Sequence, residues 1–170
     1  ESYDVITIDP PPPITSAGAS LLYSREFCEL ARSRLRPGGV LQHWLPAGDP
    51  TIVTAVTRAI CDSFPHVRVF SSIEGWGVHY LASDQPLPRL SPAQAASRLP
   101  AAARADLLEW GPAATAEEQF DLVLRRELSV DRLLRLAPGV PALSDDRPVN
   151  EYYLLRTVLR RAGRQPDQPR

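Results

Sequence analysis

Lysine and methionine are both absent from this chain, and cysteine occurs only twice, so whole classes of chemistry drop out at once. All the positive charge is arginine. With 18 prolines and many alanines beside it, that points to a GC-rich coding composition rather than to a function. Cys28 and Cys61 stand far apart in helix-like segments, which is neither a disulfide framework nor a metal-ligand spacing; they read as small buried apolar residues of a reducing compartment. A net charge of -1 and a pI near 6.4 leave no electrostatic footprint for nucleic acid or an anionic membrane. No apolar run approaches the ~20 residues of a membrane span, and no signal peptide opens the chain. The three histidines, His43, His66 and His79, fall one to an element, so no metal site is expected.

What remains is a 170-residue chain with 44% hydrophobic residues, enough for one domain with a core. Tyr3 to Asp9 is β-rich and ends at four prolines, Pro10 to Pro13, which cannot donate ladder hydrogen bonds. The spacing of Phe27, Leu30, Ala31 and Leu35 predicts a helix over Ser24 to Leu35 with Ser24 as its N-cap, stopped by Pro37-Gly38-Gly39. Val40 to Leu45 reads as a second strand. Asp49-Pro50 then opens a helix to Phe64, with Ile52, Val53, Val56, Ala59 and Ile60 on one face. His66 to Ser71 and Gly77 to Ala82, joined by a turn at Glu74-Gly75, predict an antiparallel hairpin. Alternating strands and helices ending in a hairpin imply an α/β sheet with crossover helices. Beyond a proline-rich linker (Gln85 to Arg89) the chain reads as short helices, including Ala116 to Leu128, Val130 to Ala137 and about Val149 to Arg161. Residues 1–84 thus form the α/β unit, 85–162 a helical extension, and 163–170 a polar, disordered tail.

In open parallel sheets ligands bind at the carboxyl ends of the strands. Asp9 stands at one such end, where a carboxylate can take a proton from an attacking amine or attract an ammonium; equally, it can cap the loop by accepting backbone N–H bonds. Trp44 stands at the end of the second strand, on the same side as Gln42 and opposite His43, either walling a substrate pocket or filling core. Tyr23 can cover the acceptor site or merely pack the loop. Asp145-Asp146-Arg147-Pro148 can start the last helix, with its charge favourable at the dipole, or carry an acid into the site.

The order Tyr3 to Asp9, a proline-rich loop, Ser20 to Phe27, Leu35-Arg36-Pro37-Gly38-Gly39-Val40-Leu41 and then Gly75-Trp76-Gly77 through Leu81-Ala82-Ser83 resembles the central and C-terminal stretches of spermidine synthases. Asp9-Pro10-Pro11-Pro12-Pro13, Leu22-Tyr23-Ser24, Gln42 to Pro46 and Asp145 to Pro148 are similar to bacterial spermidine-synthase-like proteins, some of them fused to a membrane-embedded region. The resemblance covers residues 3 to 84, and Asp145 to Leu155 more loosely. It implies the C-terminal half of a Rossmann-like S-adenosylmethionine-dependent methyltransferase fold, with parallel strands, a terminal antiparallel hairpin and a small helical extension. It implies Asp9 as the catalytic base. Pro12, Tyr23, Trp44, Asp145 and Asp146 fall at the acceptor, and Pro10 and Ser16 (or its neighbour Ala17) beside the donor, decarboxylated S-adenosylmethionine or S-adenosylmethionine itself. Pro12 departs from the family, which places a second acid there to bind the polyamine, so putrescine loses an anchor.

No glycine-rich turn for an S-adenosyl group follows a strand here; Gly38-Gly39 precedes one. The strands that would carry it are expected before Glu1, either because the chain is a piece of a longer reading frame, as Glu1-Ser2 running straight into a strand suggests, or because it is a remnant. The first strand then has an open edge, which invites pairing with another chain, as in a homodimer. The expected function is aminopropyl transfer to a small amine or polyamine, in the cytoplasm or at the cytoplasmic face of a membrane, with this stretch inactive without the missing half. Methyl transfer is one alternative, and a non-catalytic interaction or regulatory domain is another. Asp9-Pro10-Pro11 also resembles the motif of nucleic-acid amino-methyltransferases, but Pro12 replaces the aromatic that stacks the flipped base.

Overall fold

A computed structural model describes residues 1–9, 16, 18–46, 48–151, 155 and 157–159. Strand β1 (Tyr3–Ile8) leads through the Asp9 loop to a short helix α1 (Ser20–Tyr23) and then α2 (Arg25–Arg34). Strand β2 (Leu35–Leu45), helix α3 (Pro50–Ser63) and the hairpin β3 (His66–Ser71) and β4 (Val78–Ser83) follow. The remainder contributes α4 (Pro92–Ser97), α5 (Ala101–Trp110), α6 (Ala116–Leu124), β5 (Glu127–Leu128) and α7 (Val130–Leu134). The sheet runs β1-β2-β4-β3-β5, with β1 and β2 parallel and the other pairs antiparallel.

The caps anticipated from sequence set the helix starts. Ser24 Oγ accepts from Phe27 N at 3.1 Å, and Asp49 Oδ1 accepts from Thr51 N at 2.8 Å with Pro50 in the first turn. Both helices lie on one face of the sheet. Cys28 and Ala31 of α2 and Ile52, Ala55, Val56, Ala59 and Ile60 of α3 meet Leu41, Leu45, Val69, Tyr80 and Ala82 in a single core. Leu143 and Leu133 close it from the C-terminal region, tied by Leu143 N to Ala55 O at 3.0 Å and by Thr54 Oγ1 to Leu133 O at 2.9 Å. Burial pushes the Cys28 and Cys61 thiols up, to about 12 and about 11, so neither is a nucleophile near neutral pH.

Three expectations need correction. Strand β2 begins at Leu35 rather than Val40, because Leu35 pairs with Tyr3 while Val40 pairs with Val5, leaving Arg36 to Gly39 as an irregularity inside the strand. The two glycines are required there. Gly38 has φ +76° and donates its N–H to Asp84 at 2.9 Å, and a Cβ on Gly39 would sit 2.9 Å from Arg36 O and 3.1 Å from Tyr3 O. The helix expected over Ala116 to Leu128 ends at Leu124, because Glu127 and Leu128 join the sheet beside Phe70 and Val69. Arg68 holds Glu127 there through two bonds, Nε to Oε1 at 3.0 Å and a terminal nitrogen to Oε2 at 2.9 Å. The helix expected to reach Ala137 stops at Leu134. Of the last predicted helix, Leu155 and Thr157 to Leu159 are helical, and the rest of it lies largely outside the described residues, as does the 163–170 tail.

Among the described residues no helix is long and apolar enough to cross a membrane, and no three His, Cys, Asp or Glu side chains gather as a metal site.

Candidate active site

The carboxyl ends of β1 and β2 lie side by side. The parallel ladder ends with Ile8 opposite His43, so Asp9 comes level with Trp44. Strand alternation then separates the two faces. Ile8 and His43 turn toward α2, while Trp44 turns to the other face, where it is directly paired with His79; Asp9 lies just past the end of β1. Asp9 is exposed, and its charge reaches both His79 and the Tyr23 hydroxyl.

Trp44 is held by its own N–H, which donates to Trp76 O at 3.1 Å across the hairpin mouth. Ser72 Oγ donates to the same carbonyl at 3.1 Å and meets His79 Nε2 at 3.1 Å, while Gln42 Nε2 lies 3.2 Å from His79 Nδ1. With Gln42 donating to Nδ1, the proton sits on Nε2 and is donated to Ser72. Burial lowers the pKa of His79, and the Asp9 carboxylate partly opposes that, so a neutral imidazole is held in one orientation. Neither Ser72 nor His79 stood out in the sequence as an acceptor-site residue. Their placement follows from the β2–β4 register, although Gln42 and Trp44 already shared a face.

Tyr23 ends α1 fully buried and stacks on His43 with ring centroids 4.8 Å apart and planes 9° from parallel. Its hydroxyl has no hydrogen-bond partner among the described residues. Burial first, and the Asp9 charge second, raise its pKa. His43 is core, as its side of the strand suggests, and burial lowers its pKa to about 4.

The loop after β1 is anchored from far along the chain. Glu151 accepts from Gly18 N at 2.8 Å and Ser20 N at 3.2 Å, and also binds Ser20 Oγ, so a carboxylate covers the free amides where α1 begins. Ser16 is half-buried and its carbonyl accepts from Ala19 N at 3.2 Å. Pro10 and Pro12 lie outside the described residues. Asp145 and Asp146 occupy a turn beside the first turn of α2. Asp145 N donates to Glu26 Oε2 at 3.1 Å, and Asp146 Oδ1 accepts from Ser144 Oγ at 2.6 Å, which lowers the Asp146 pKa.

Two described glycines lie between a strand and a helix: Gly18, at φ +81°, gives its N–H to Glu151 before α1, and Gly48 precedes α3. Gly38 and Gly39 lie within β2, and Gly75 and Gly77 lie in the hairpin.

A parallel strand pair with an acid just past its first strand, a crossover helix and a terminal antiparallel hairpin are the features of a Rossmann-like, methyltransferase-type α/β fold. The crystal structure of a probable spermidine synthase from Corynebacterium glutamicum ATCC 13032 shares this fold with a TM-score of 0.50 at 20% identity, over 85% of this chain and 48% of that one. Polyamine aminopropyltransferase 2 of Pseudomonas aeruginosa is 36% identical over 90 residues, 48% of this chain and 26% of the relative. The likeness in sequence is thus to a polyamine aminopropyltransferase over about half of the chain, and the likeness in fold to a spermidine synthase over most of it. The chain spans about a quarter of the length of the curated relative and about half of the solved one. No family model matches it.

Proposed function

We propose that this chain supplies the acceptor half of a spermidine synthase-like aminopropyltransferase, with Asp9 as the base. The observation that carries the proposal is the position of Asp9. It stands just past the carboxyl end of β1, beside the end of β2, where its charge reaches both His79 and the Tyr23 hydroxyl. A carboxylate there can hold an ammonium and take its proton. The freed amine nitrogen attacks the aminopropyl carbon, a new N–C bond forms, and the C–S bond breaks. The electron pair stays on sulfur, turning the sulfonium of decarboxylated S-adenosylmethionine into a neutral thioether. Tyr23 and Trp44 border this place, while Ser16, in the loop after β1, lies toward the donor. The adenosyl grip, the partner strands for β1 and any membrane attachment are assigned to a region outside this chain, and the working compartment to the cytoplasm or a membrane's cytoplasmic face.

The test uses the full-length protein, decarboxylated S-adenosylmethionine and a panel of amines. Asp9→Asn should lower kcat/KM by about 10²-fold or more, the usual contribution of a general base. Unchanged transfer in that variant would refute the assignment. A non-catalytic regulatory domain is the second reading, favoured by proline at position 12, where the resembled enzymes carry an acid. Absence of transfer with every amine and with either S-adenosyl donor would select it.

A further inference from the structure

The face of the sheet opposite the core carries a cavity of about 620 Å³, roofed by α6 and bounded by the β3–β4 turn. Its size is that of a small-molecule site, several hundred Å³ being usual. Trp44, Phe70, Leu81, Trp76, Phe120 and Val123 make its walls. Trp44 and His79 belong to this wall, and Asp9, just past the end of the strand beside that of Trp44, lies close enough for its charge to act on His79.

We infer that the acceptor taken here is a primary monoamine with an apolar, aryl-bearing body, its ammonium at Asp9 and its body in the aromatic cavity, and not a short diamine. The inference rests on the proposed transfer reaction only for the fate of the amine; the binding preference stands on the cavity. A diamine needs a second anionic anchor, and the charges in the wall do not offer one inside. Arg68 is positive, is held by Glu127 at 2.9 and 3.0 Å, and lies 4.9 Å from the Phe70 ring centroid, filling the ring face where another cation would sit. Glu127 is itself bound a second time by Arg89 at 3.0 Å. Glu74 borders the cavity from the hairpin turn but is exposed, where an ion pair gains little. Pro10 to Pro13, which follow Asp9 in sequence, bring no second acid beside it. A second ammonium pushed into the cavity would give up its water without a buried counter-charge, whereas an aryl group gains from leaving water.

The test is calorimetric titration of the full-length protein with 2-phenylethylamine, 1,4-diaminobutane and 2-phenylethanol. The expected order is 2-phenylethylamine at least about ten-fold tighter than the diamine, with the alcohol weaker than the amine. Phe120→Ala, in α6 where its half-buried ring lines the cavity, should weaken 2-phenylethylamine by about ten-fold and leave the diamine unchanged. Asp9→Asn should abolish the difference between amine and alcohol. A diamine that binds as tightly as 2-phenylethylamine, no binding of 2-phenylethylamine, or a Phe120→Ala variant with native circular dichroism and unaltered affinity each overturns the inference. The transfer assay separates the two readings. Transfer to 1,4-diaminobutane without 2-phenylethylamine binding rejects this inference and leaves the proposed reaction standing. Preferential 2-phenylethylamine binding without transfer to any amine does the reverse.

Discussion

His43 shows how one residue near the site couples stability to pH. It is completely buried against Tyr23, and neither ring nitrogen has a partner among the described residues. Desolvation of the imidazolium lowers its pKa from 6.5 to about 4. Between those values the unfolded chain binds a proton that the native chain does not. The His43 contribution is therefore complete above about pH 6.5 and is lost as the pH falls toward 4, on the order of 3 kcal/mol in all. His79, whose pKa is lowered as well, adds to the loss in the same direction. His43→Phe keeps the stack on Tyr23 and removes the titrating group. Urea unfolding at pH 7 and pH 4.5 should show the acid loss reduced by about 2 kcal/mol in the variant. An unchanged loss would mean that other groups dominate acid unfolding. The same residue marks what is legible at this scale. Strand alternation alone separates His43 from Gln42 and Trp44, and Asp9 announces itself by standing at a strand's end. Glu151 and His79 do not, because each acquires its role from a partner far away in sequence, Ser20 for one and Gln42 for the other.

Elements were readable where local chemistry decides them, and misread where a tertiary contact does. The N-caps at Ser24 and Asp49 fix α2 and α3 from within a few residues. The stretch after Leu124 continues a helical pattern, yet it turns into the sheet because Arg68, almost sixty residues earlier, offers Glu127 a bidentate partner. Their side chains are only 12% and 24% exposed, so the pair is worth more than a surface contact. Arg68→Ala should release β5 and destabilise the protein by about 2 kcal/mol, the scale of hydrogen bonds to charged groups. Amide exchange offers a second readout. Ser71 N donates to Arg126 O at 3.0 Å, so its protection should fall in the variant while that of Tyr80, in the middle of the sheet, changes only with global stability. Equal loss at both amides would mean that β5 is not an independent unit. The irregularity in β2 has the same origin. Gly38-Gly39 reads as a helix stop in isolation, and only the Tyr3–Leu35 pairing turns it into strand.

On the scale of the whole molecule, β1 is the anomaly. Among the described residues it stands first in the sheet order, hydrogen-bonded to β2. Tyr3 and Val5 are 45% and 59% exposed, and they flank an apolar groove of about 400 Å³ that continues onto Phe27 and Leu30 of α2. A free ladder edge beside an apolar groove attracts another strand, since pairing satisfies the backbone groups and covers the side chains together. The chain of 170 residues should therefore associate with itself as its concentration rises, with β1 edge to edge. Val5→Lys tests this, because a charge on the edge must be desolvated for pairing but stays in water in the monomer. Val5 is more than half exposed and lies outside the core, so the variant should keep its secondary structure and its thermal stability to within about 0.5 kcal/mol. Sedimentation velocity should then show the parent shifting to larger species with concentration and the variant remaining monomeric. A variant that associates as strongly as its parent would move the contact elsewhere. A parent that stays monomeric would mean that one groove and one edge are too little to hold two copies together.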